Sequence, residues 1–350
     1  MADVTTFDKN LRVEGVARDG LRFYSAEQAP FSVHGVFRDG DRFRRMPKAV
    51  SETVSEAVDF LNGNTAGGRV RFVTDSDVVA IDASLTAVGK MPHFALTGSV
   101  GFDVYADEGE GLRYAGSLIP PFDVGFRFEA RTRFPSRKRR EILIHFPLYS
   151  GVTDLQIGLE EGATLEAAAP YADPRPVVFY GSSITQGGCA SRPGNSYQAI
   201  ASREMGFEFV NLGFSGSALA EQPMIEYIAS LEMRAFVLDY DHNAPTVEHL
   251  KATHEPFYKA VRAAHPTMPV VMMTRPTFRL NDEELERLAV VQATYDAAVA
   301  AGDRNVYRID GRELVGEALA EVSTVDGAHP NDAGFFAMAK RLEQTLQDCL

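Results

Sequence analysis

The chain has 350 residues, 45% of them hydrophobic, so it is long enough for two domains that each bury a core. Its net charge of −13 at pH 7 argues against nucleic acid and anionic membranes as partners. Only two cysteines occur, Cys189 and Cys349, so a disulfide framework is not indicated and a reducing compartment is the simplest setting.

Residues 1–170 predict an all-β domain, either a sandwich or a jelly roll, because many short runs with β-strand character are separated by turn residues. One helix is expected at 51–61, with Ser51 as its cap. The strands are expected at 11–16, 21–24, 32–38, 70–73, 78–81, 100–105, 113–118, 125–132, 140–146 and 153–159.

Residues 171–350 predict an α/β domain, since buried strands alternate with amphipathic helices. Five parallel strands suit a flavodoxin-like, doubly wound sheet. The strands are expected at 177–180, 207–210, 235–238, 270–274 and 306–309. The helices are expected at 195–205, 221–230, 246–264, 282–301 and 331–347.

A small-residue turn follows the first of these parallel strands and contains Ser183. The carboxyl ends of parallel strands are where ligands bind in open α/β sheets, so Ser183 is a candidate nucleophile. Near the end of the chain, Asp326 and His329 are three residues apart in a loop. A carboxylate at that distance can hold an imidazole in the tautomer that activates a serine. Taken alone, each pattern also fits an ordinary turn.

Two further loops follow predicted strands. Gly216 could offer a backbone N–H to an oxyanion, and Asn243 could offer its side-chain amide. Each loop alone also fits a cap or a turn. The order of all four blocks along the chain favours a catalytic site.

These blocks resemble the SGNH (GDSL) hydrolase superfamily, which is named for Ser, Gly, Asn and His. The resemblance implies that Ser183 is the nucleophile, and that Asp326 and His329 complete the triad. It also implies that Ser183, Gly216 and Asn243 form the oxyanion hole. Gly181-Ser182-Ser183-Ile184 stands where the family usually has Gly-Asp-Ser-Leu, which is similar to the acetyl-esterase-like branch. Asp241 stands where the third block usually has glycine.

The first half resembles the β-rich domain that precedes the hydrolase in one bacterial branch of this superfamily. The segments that carry the resemblance are Arg44-Arg45-Met46-Pro47, the stretch from Gly67 to Ser76, and Gly101-Phe102-Asp103-Val104-Tyr105. The last is similar to the Gly-x-Asp-Leu-Tyr signature of that domain. The two resemblances together cover nearly the whole chain.

The resemblance implies a serine esterase that hydrolyses short-chain acyl esters, above all acetyl esters, of a carbohydrate or other small alcohol. Such chemistry needs no cofactor and no metal. The expected partner is a small-molecule or oligosaccharide ester, and the sequence leaves the oligomeric state open. Two alternatives remain: an acyltransferase of the same fold with an alcohol acceptor, and a non-catalytic carbohydrate-binding protein.

The loop after the nucleophile should form the rim of the pocket. Within it Arg192 and Tyr197 are candidate substrate-binding residues, although Arg192 could equally brace the loop. Cys189 is interpreted as a packing residue. The N-terminal residues contain neither the basic nor the apolar segment of a signal peptide, and the sequence has no run of about 18 apolar residues. We therefore expect a cytoplasmic protein.

Overall fold

The computed structural model describes residues 4–8 and 15–350, and most of the strand predicted at 11–16 lies outside these residues. The β region, residues 21–166, contains two antiparallel sheets that face each other across an apolar core. Its strands are β1 Leu21–Ser25, β2 Ser32–His34, β3 Phe37–Asp39, β4 Arg42–Arg44, β5 Arg69–Thr74, β6 Val78–Ala87, β7 Phe102–Asp107, β8 Arg113–Leu118, β9 Arg127–Arg133, β10 Arg140–His145, β11 Gly151–Glu160 and β12 Leu165–Glu166.

The smaller sheet of this region has the order β1-β11-β6-β9. The larger has the order β12-β5-β10-β7-β8, with β2 also paired to β5. Strands β3 and β4 form a separate hairpin. The predicted β-sandwich is therefore confirmed, and its core comes from alternate residues of both sheets.

Three short helices belong to the β region: α1 Lys48–Val54, α2 Glu56–Asn62 and α3 Leu96–Ser99. The single helix predicted at 51–61 is wrong in detail, because the chain breaks at Ser55. There the backbone is extended, and the Ser55 side chain accepts from the Val58 N–H as the cap of α2. Ser51, the predicted cap, lies inside α1 and is buried.

The α/β region, residues 177–350, contains five parallel strands in the order β14-β13-β15-β16-β17, which is the predicted flavodoxin-like order. The strands are β13 Val177–Gly181, β14 Phe209–Gly213, β15 Ala235–Asp239, β16 Val270–Met273 and β17 Val306–Ile309. The helices are α4 Ser183–Gln186, α5 Tyr197–Met205, α6 Gln222–Ser230, α7 Val247–Ala264, α8 Asp282–Ala300, α9 Gly311–Leu319 and α10 Asp332–Gln347.

Strand β14 begins two residues later than predicted, so Asn211 and Gly213 belong to the sheet. Helix α9 was not predicted. Asn281 and Glu284 form a reciprocal capping box at the start of α8. No described helix is both long enough and apolar enough to span a membrane.

The two regions share a close seam, which consists of the contacts that residues 34–149 make with residues 183–213. Arg45 is 2% exposed and donates to the carbonyls of Asn211 and Gly213 at the end of β14. Arg69 is 1% exposed and pairs with Glu208 at the start of the same strand. A Cβ atom on Gly98 would lie 2.0 Å from the carbonyl oxygen of Ala190, so only glycine allows this approach.

Candidate active site

Ser183 lies at the sharp turn from β13 into α4. A Cβ atom on Gly181 would lie 2.1 Å from the Asp239 carbonyl oxygen, so the turn requires glycine there. Ser182 caps α4 by accepting from the Ile184 N–H at 3.1 Å. Ser183 is therefore the first residue of the helix, and it remains 9% exposed at the carboxyl edge of the sheet.

The structure brings Ser183, His329 and Asp326 together in a continuous hydrogen-bonded relay. The distance from His329 Nε2 to Ser183 Oγ is 2.9 Å, and that from His329 Nδ1 to Asp326 Oδ2 is 2.8 Å. With a carboxylate at Nδ1, the proton of a neutral imidazole belongs on that nitrogen. Nε2 is then free to accept the Ser183 proton, which is the arrangement of a serine nucleophile and its base.

Backbone hydrogen bonds within the same loop fix the position of the Asp326 carboxylate. The backbone N–H groups of Ala328 and His329 donate to Asp326 Oδ1 at 3.0 and 2.8 Å. Burial opposes the Asp326 charge, but these bonds and the one from the His329 ring outweigh it and hold the pKa of the carboxyl well below its usual range. Asp326 therefore stays ionised at neutral pH and stabilises a protonated His329.

Gly216 and Asn243 lie in neighbouring loops at the same edge of the sheet. Gly216 is exposed and has a φ of 67°, which favours glycine. The Asn243 side-chain oxygen accepts from the Ala218 N–H at 3.4 Å, so the bond connects the two loops and leaves the amide N–H groups for other partners. Their role as oxyanion donors stays a prediction.

Tyr197 was predicted to bind substrate, and this prediction is wrong because its side chain is fully buried. Its hydroxyl donates to Asp239 Oδ2 at 3.0 Å beneath the nucleophile turn. Arg192 lies at the seam: its guanidinium donates to the Tyr105 hydroxyl at 2.7 Å and lies over the Tyr114 ring at 3.9 Å. These contacts favour the bracing role for Arg192 over substrate binding.

Two residues that make hydrogen bonds next to the catalytic groups were not identified from the sequence. The Tyr149 hydroxyl, which comes from the β region, donates to the Ser183 carbonyl oxygen at 3.3 Å. Gln186 Oε1 accepts from the Ser215 N–H at 3.0 Å, next to Gly216. The position of Gln186 three residues after Ser183 was the available signal, whereas no local pattern marks Tyr149.

Cys189 lies beside the relay with a φ of 77° and is buried. Burial and the nearby Asp326 charge raise the pKa of its thiol to about 11, so the thiol is a poor nucleophile at neutral pH. His93, from the loop between β6 and α3, also reaches this point, and its Nε2 is 4.0 Å from Asp326 Oδ2.

Asp239 at the end of β15 is fully buried behind the turn. Its Oδ2 accepts from the Thr185 hydroxyl at 2.9 Å as well as from Tyr197, while Oδ1 has no partner among the described residues. Burial and the neighbouring Asp241 charge raise the pKa of Asp239 to about 7.

This pKa predicts how stability depends on pH. Because the folded-state pKa exceeds the unfolded value of about 3.9, the folded state holds the proton more tightly and stability falls as pH rises from about 4 to 7. The free energy of unfolding of the wild type should fall by up to about 4 kcal/mol over this pH range. Asp239→Asn carries no charge at this position, so its free energy of unfolding should not show this fall. In thermal melts, the advantage of the variant should be small at pH 5 and grow by pH 8. Asp296→Asn on the surface of α8 is the control, and equal pH profiles for wild type and Asp239→Asn would contradict the prediction.

Comparisons with known proteins identify the family to which the chain belongs. Residues 174–347 match the GDSL-like lipase/acylhydrolase family, and residues 21–165 match the family described as the N-terminus of SGNH-hydrolase-type esterases. The chain belongs to the GDSL-like hydrolases and is a carboxylic ester hydrolase. A comparison with the curated proteins gave no significant match.

Solved structures share the complete architecture. A protein described as a GDSL-like lipase from Bacteroides ovatus is 27% identical, with a TM-score of 0.84 over 94% of this chain and 97% of that one. A salicylyl-acyltransferase from a tetracycline biosynthetic pathway is 19% identical, with a TM-score of 0.76 over 95% and 99%. An acetyl xylan esterase from the rumen bacterium Butyrivibrio proteoclasticus is 12% identical, with a TM-score of 0.57 over 94% and 98%.

Proposed function

We propose that the protein is a serine esterase that hydrolyses short-chain acyl esters, in particular acetyl esters, of a carbohydrate or other small alcohol. The observation that carries the proposal is the relay from Ser183 through His329 to Asp326, with both distances below 3 Å. The order of these residues along the chain and the fold shared with an acetyl xylan esterase support the same reading.

In the proposed mechanism, Ser183 Oγ attacks the acyl carbonyl carbon while His329 Nε2 takes its proton. The backbone N–H groups of Ser183 and Gly216 and the Asn243 amide stabilise the oxyanion. His329 then gives the proton to the leaving alcohol, and an acyl-enzyme remains on Ser183. A water molecule, deprotonated by His329, releases the acid. Asp326 orients the imidazole throughout and stays ionised.

The proposal is tested by two measurements on the wild-type protein. In a series of p-nitrophenyl esters from acetyl to octanoyl, kcat/KM should be largest for acetyl and fall with chain length. A fluorophosphonate should label one residue per chain, peptide mapping should place the label on Ser183, and labelling should stop turnover. Turnover that survives full labelling of Ser183, or a rate that rises towards octanoyl, would contradict the proposal.

The oxyanion assignment makes a separate prediction. Asn243→Ala should lower kcat for p-nitrophenyl acetate by about 10²–10³-fold with little change in KM, because the amide acts on charge that develops in the transition state. Asn305→Ala, just before β17 at the opposite, amino edge of the sheet, is the control and should leave kcat unchanged. A loss confined to KM in Asn243→Ala would assign the amide to substrate binding instead.

Acyl transfer to an alcohol is the second candidate function, and the near full-length fold shared with a salicylyl-acyltransferase favours it. The two reactions differ only in whether water or an alcohol attacks the acyl-enzyme. Product analysis with p-nitrophenyl acetate and added sugars or alcohols separates them. Release of free acetate at all acceptor concentrations supports the esterase, whereas acetylated acceptor as the main product supports the transferase.

A further inference from the structure

Three side chains at the mouth of the site come from distant parts of the chain. His93 lies in the loop after β6, Cys189 follows the nucleophile turn, and His329 lies in the loop before α10. One nitrogen from each imidazole and the Cys189 sulfur all lie within 4.8 Å of one another. Because 96 residues separate His93 from Cys189 and 140 separate Cys189 from His329, no local motif could have revealed the cluster.

We propose that His93, Cys189 and His329 form a binding site for a zinc-class divalent cation, and that occupation of this site inhibits the enzyme reversibly. Two imidazoles and one thiolate are a ligand set that zinc and related borderline or soft ions prefer. Ligands of a tetrahedral zinc ion lie about 3.3–3.7 Å apart, from bond lengths of about 2.0–2.3 Å. The three groups must therefore approach by about 1 Å.

The surroundings allow this approach. The His93 side chain is 44% exposed, so it can change rotamer without disturbing the core. The Asp326 carboxylate, whose Oδ2 is 4.0 Å from His93 Nε2, adds a negative charge beside the site and a possible fourth oxygen ligand. On binding, the Cys189 thiol gives its proton to solvent, and the cation takes a lone pair from each imidazole.

Binding of the cation inhibits the enzyme because His329 is both a ligand of the cation and the proposed catalytic base. Its two ring nitrogens are 2.9 Å from Ser183 and 2.8 Å from Asp326. Whichever nitrogen binds the cation, one of these two hydrogen bonds is lost and the imidazole can no longer act as the base. The inhibition therefore rests on the proposed function of His329, whereas the binding of the cation does not.

The test uses the full chain, stripped of metal by a chelator and assayed without thiol reagents. Zn²⁺ should inhibit hydrolysis of p-nitrophenyl acetate, and a chelator should restore it. The Zn²⁺ concentration for half-inhibition should rise by about 100-fold or more in Cys189→Ala and in His93→Asn, since even loss of an outer partner of a metal ligand costs 10–100-fold in affinity. Both variants should keep the metal-free activity. Cys349→Ala is the matched control, and Mg²⁺ should not inhibit because it prefers oxygen ligands.

Binding of the cation is measured independently of activity from the absorption spectrum of the protein after addition of Co²⁺. The wild type and Cys349→Ala should show a thiolate-to-cobalt charge-transfer band that Cys189→Ala lacks. Equal Zn²⁺ inhibition of wild type, Cys189→Ala and His93→Asn would overturn the proposal, and so would a cobalt complex without the thiolate band. A band without loss of activity would exclude His329 as a ligand and overturn the three-residue site. If no ester is turned over at all, the proposed function fails, and the cobalt band alone decides whether the cation binds.

Discussion

Replacement of Ser183 by alanine is expected to lower kcat for p-nitrophenyl acetate by about 10⁵–10⁶-fold, because no acyl-enzyme can form without the hydroxyl. The remaining rate should come from the oxyanion donors and from binding alone. KM should change little, since the hydroxyl contributes to attack more than to ground-state binding. Steady-state kinetics on purified protein with an unchanged circular dichroism spectrum provides the measurement.

Ser182→Ala is the matched control because the two serines are adjacent and only one contacts His329. Ser182 is fully buried, and its hydroxyl caps α4. Its loss should cost about 1 kcal/mol of stability and leave kcat within about tenfold of the wild type. Comparable losses of kcat in the two variants would mean that the turn, and not the Ser183 hydroxyl, is what the assay detects.

The second large effect is expected at the seam, from Glu208→Gln. Glu208 accepts from the Arg69 guanidinium and lies within hydrogen-bonding distance of His34 Nδ1, and Arg69 is 1% exposed. Burial opposes the Glu208 charge, but Arg69 and His34 outweigh it and lower the pKa of the carboxyl. Neutral glutamine leaves the Arg69 charge buried and uncompensated. The free energy of unfolding in urea should therefore fall by about 3–5 kcal/mol.

Glu166→Gln provides the comparison, since Glu166 pairs with Arg139 at 2.9 Å on the surface, where both side chains are about half exposed or more. Solvent screens such a pair, so its loss should cost less than about 1 kcal/mol. If both variants lose the same stability, burial of the Arg69–Glu208 pair has no special role in holding the two regions together.

The parts of the site that sequence could predict are those that local chain geometry dictates. Asp326 and His329 are three residues apart in one turn, and Ser183 follows a strand whose burial is evident from four consecutive apolar residues. The carboxyl ends of parallel strands meet at one edge of the sheet, so the four blocks converge once the strand order is known. Whether these residues perform catalysis stays a prediction until the variants are measured.

The errors have a common physical cause, which is contact between distant segments. Tyr197 of α5 turns inward, where its hydroxyl donates to Asp239 at the end of β15. Arg192 is held by Tyr105 from the β region. His254 of α7 is likewise 1% exposed and bonded to Thr294 of α8 at 2.9 Å. The hydrophobic periodicity of one segment does not show which residues of a distant segment contact it.

The close approach at Gly98 has a consequence for how this protein can evolve. The glycine backbone lies against Ala190, and the neighbouring Thr97 hydroxyl donates to the Ser191 carbonyl at 2.5 Å, so the β region touches the loop that follows the nucleophile. A gene fusion that exchanged the first half for that of a distant homologue would place a different surface against this loop. The two halves are therefore expected to be inherited as a pair, and substrate range is expected to diversify by substitutions in exposed loops rather than by recombination of whole domains.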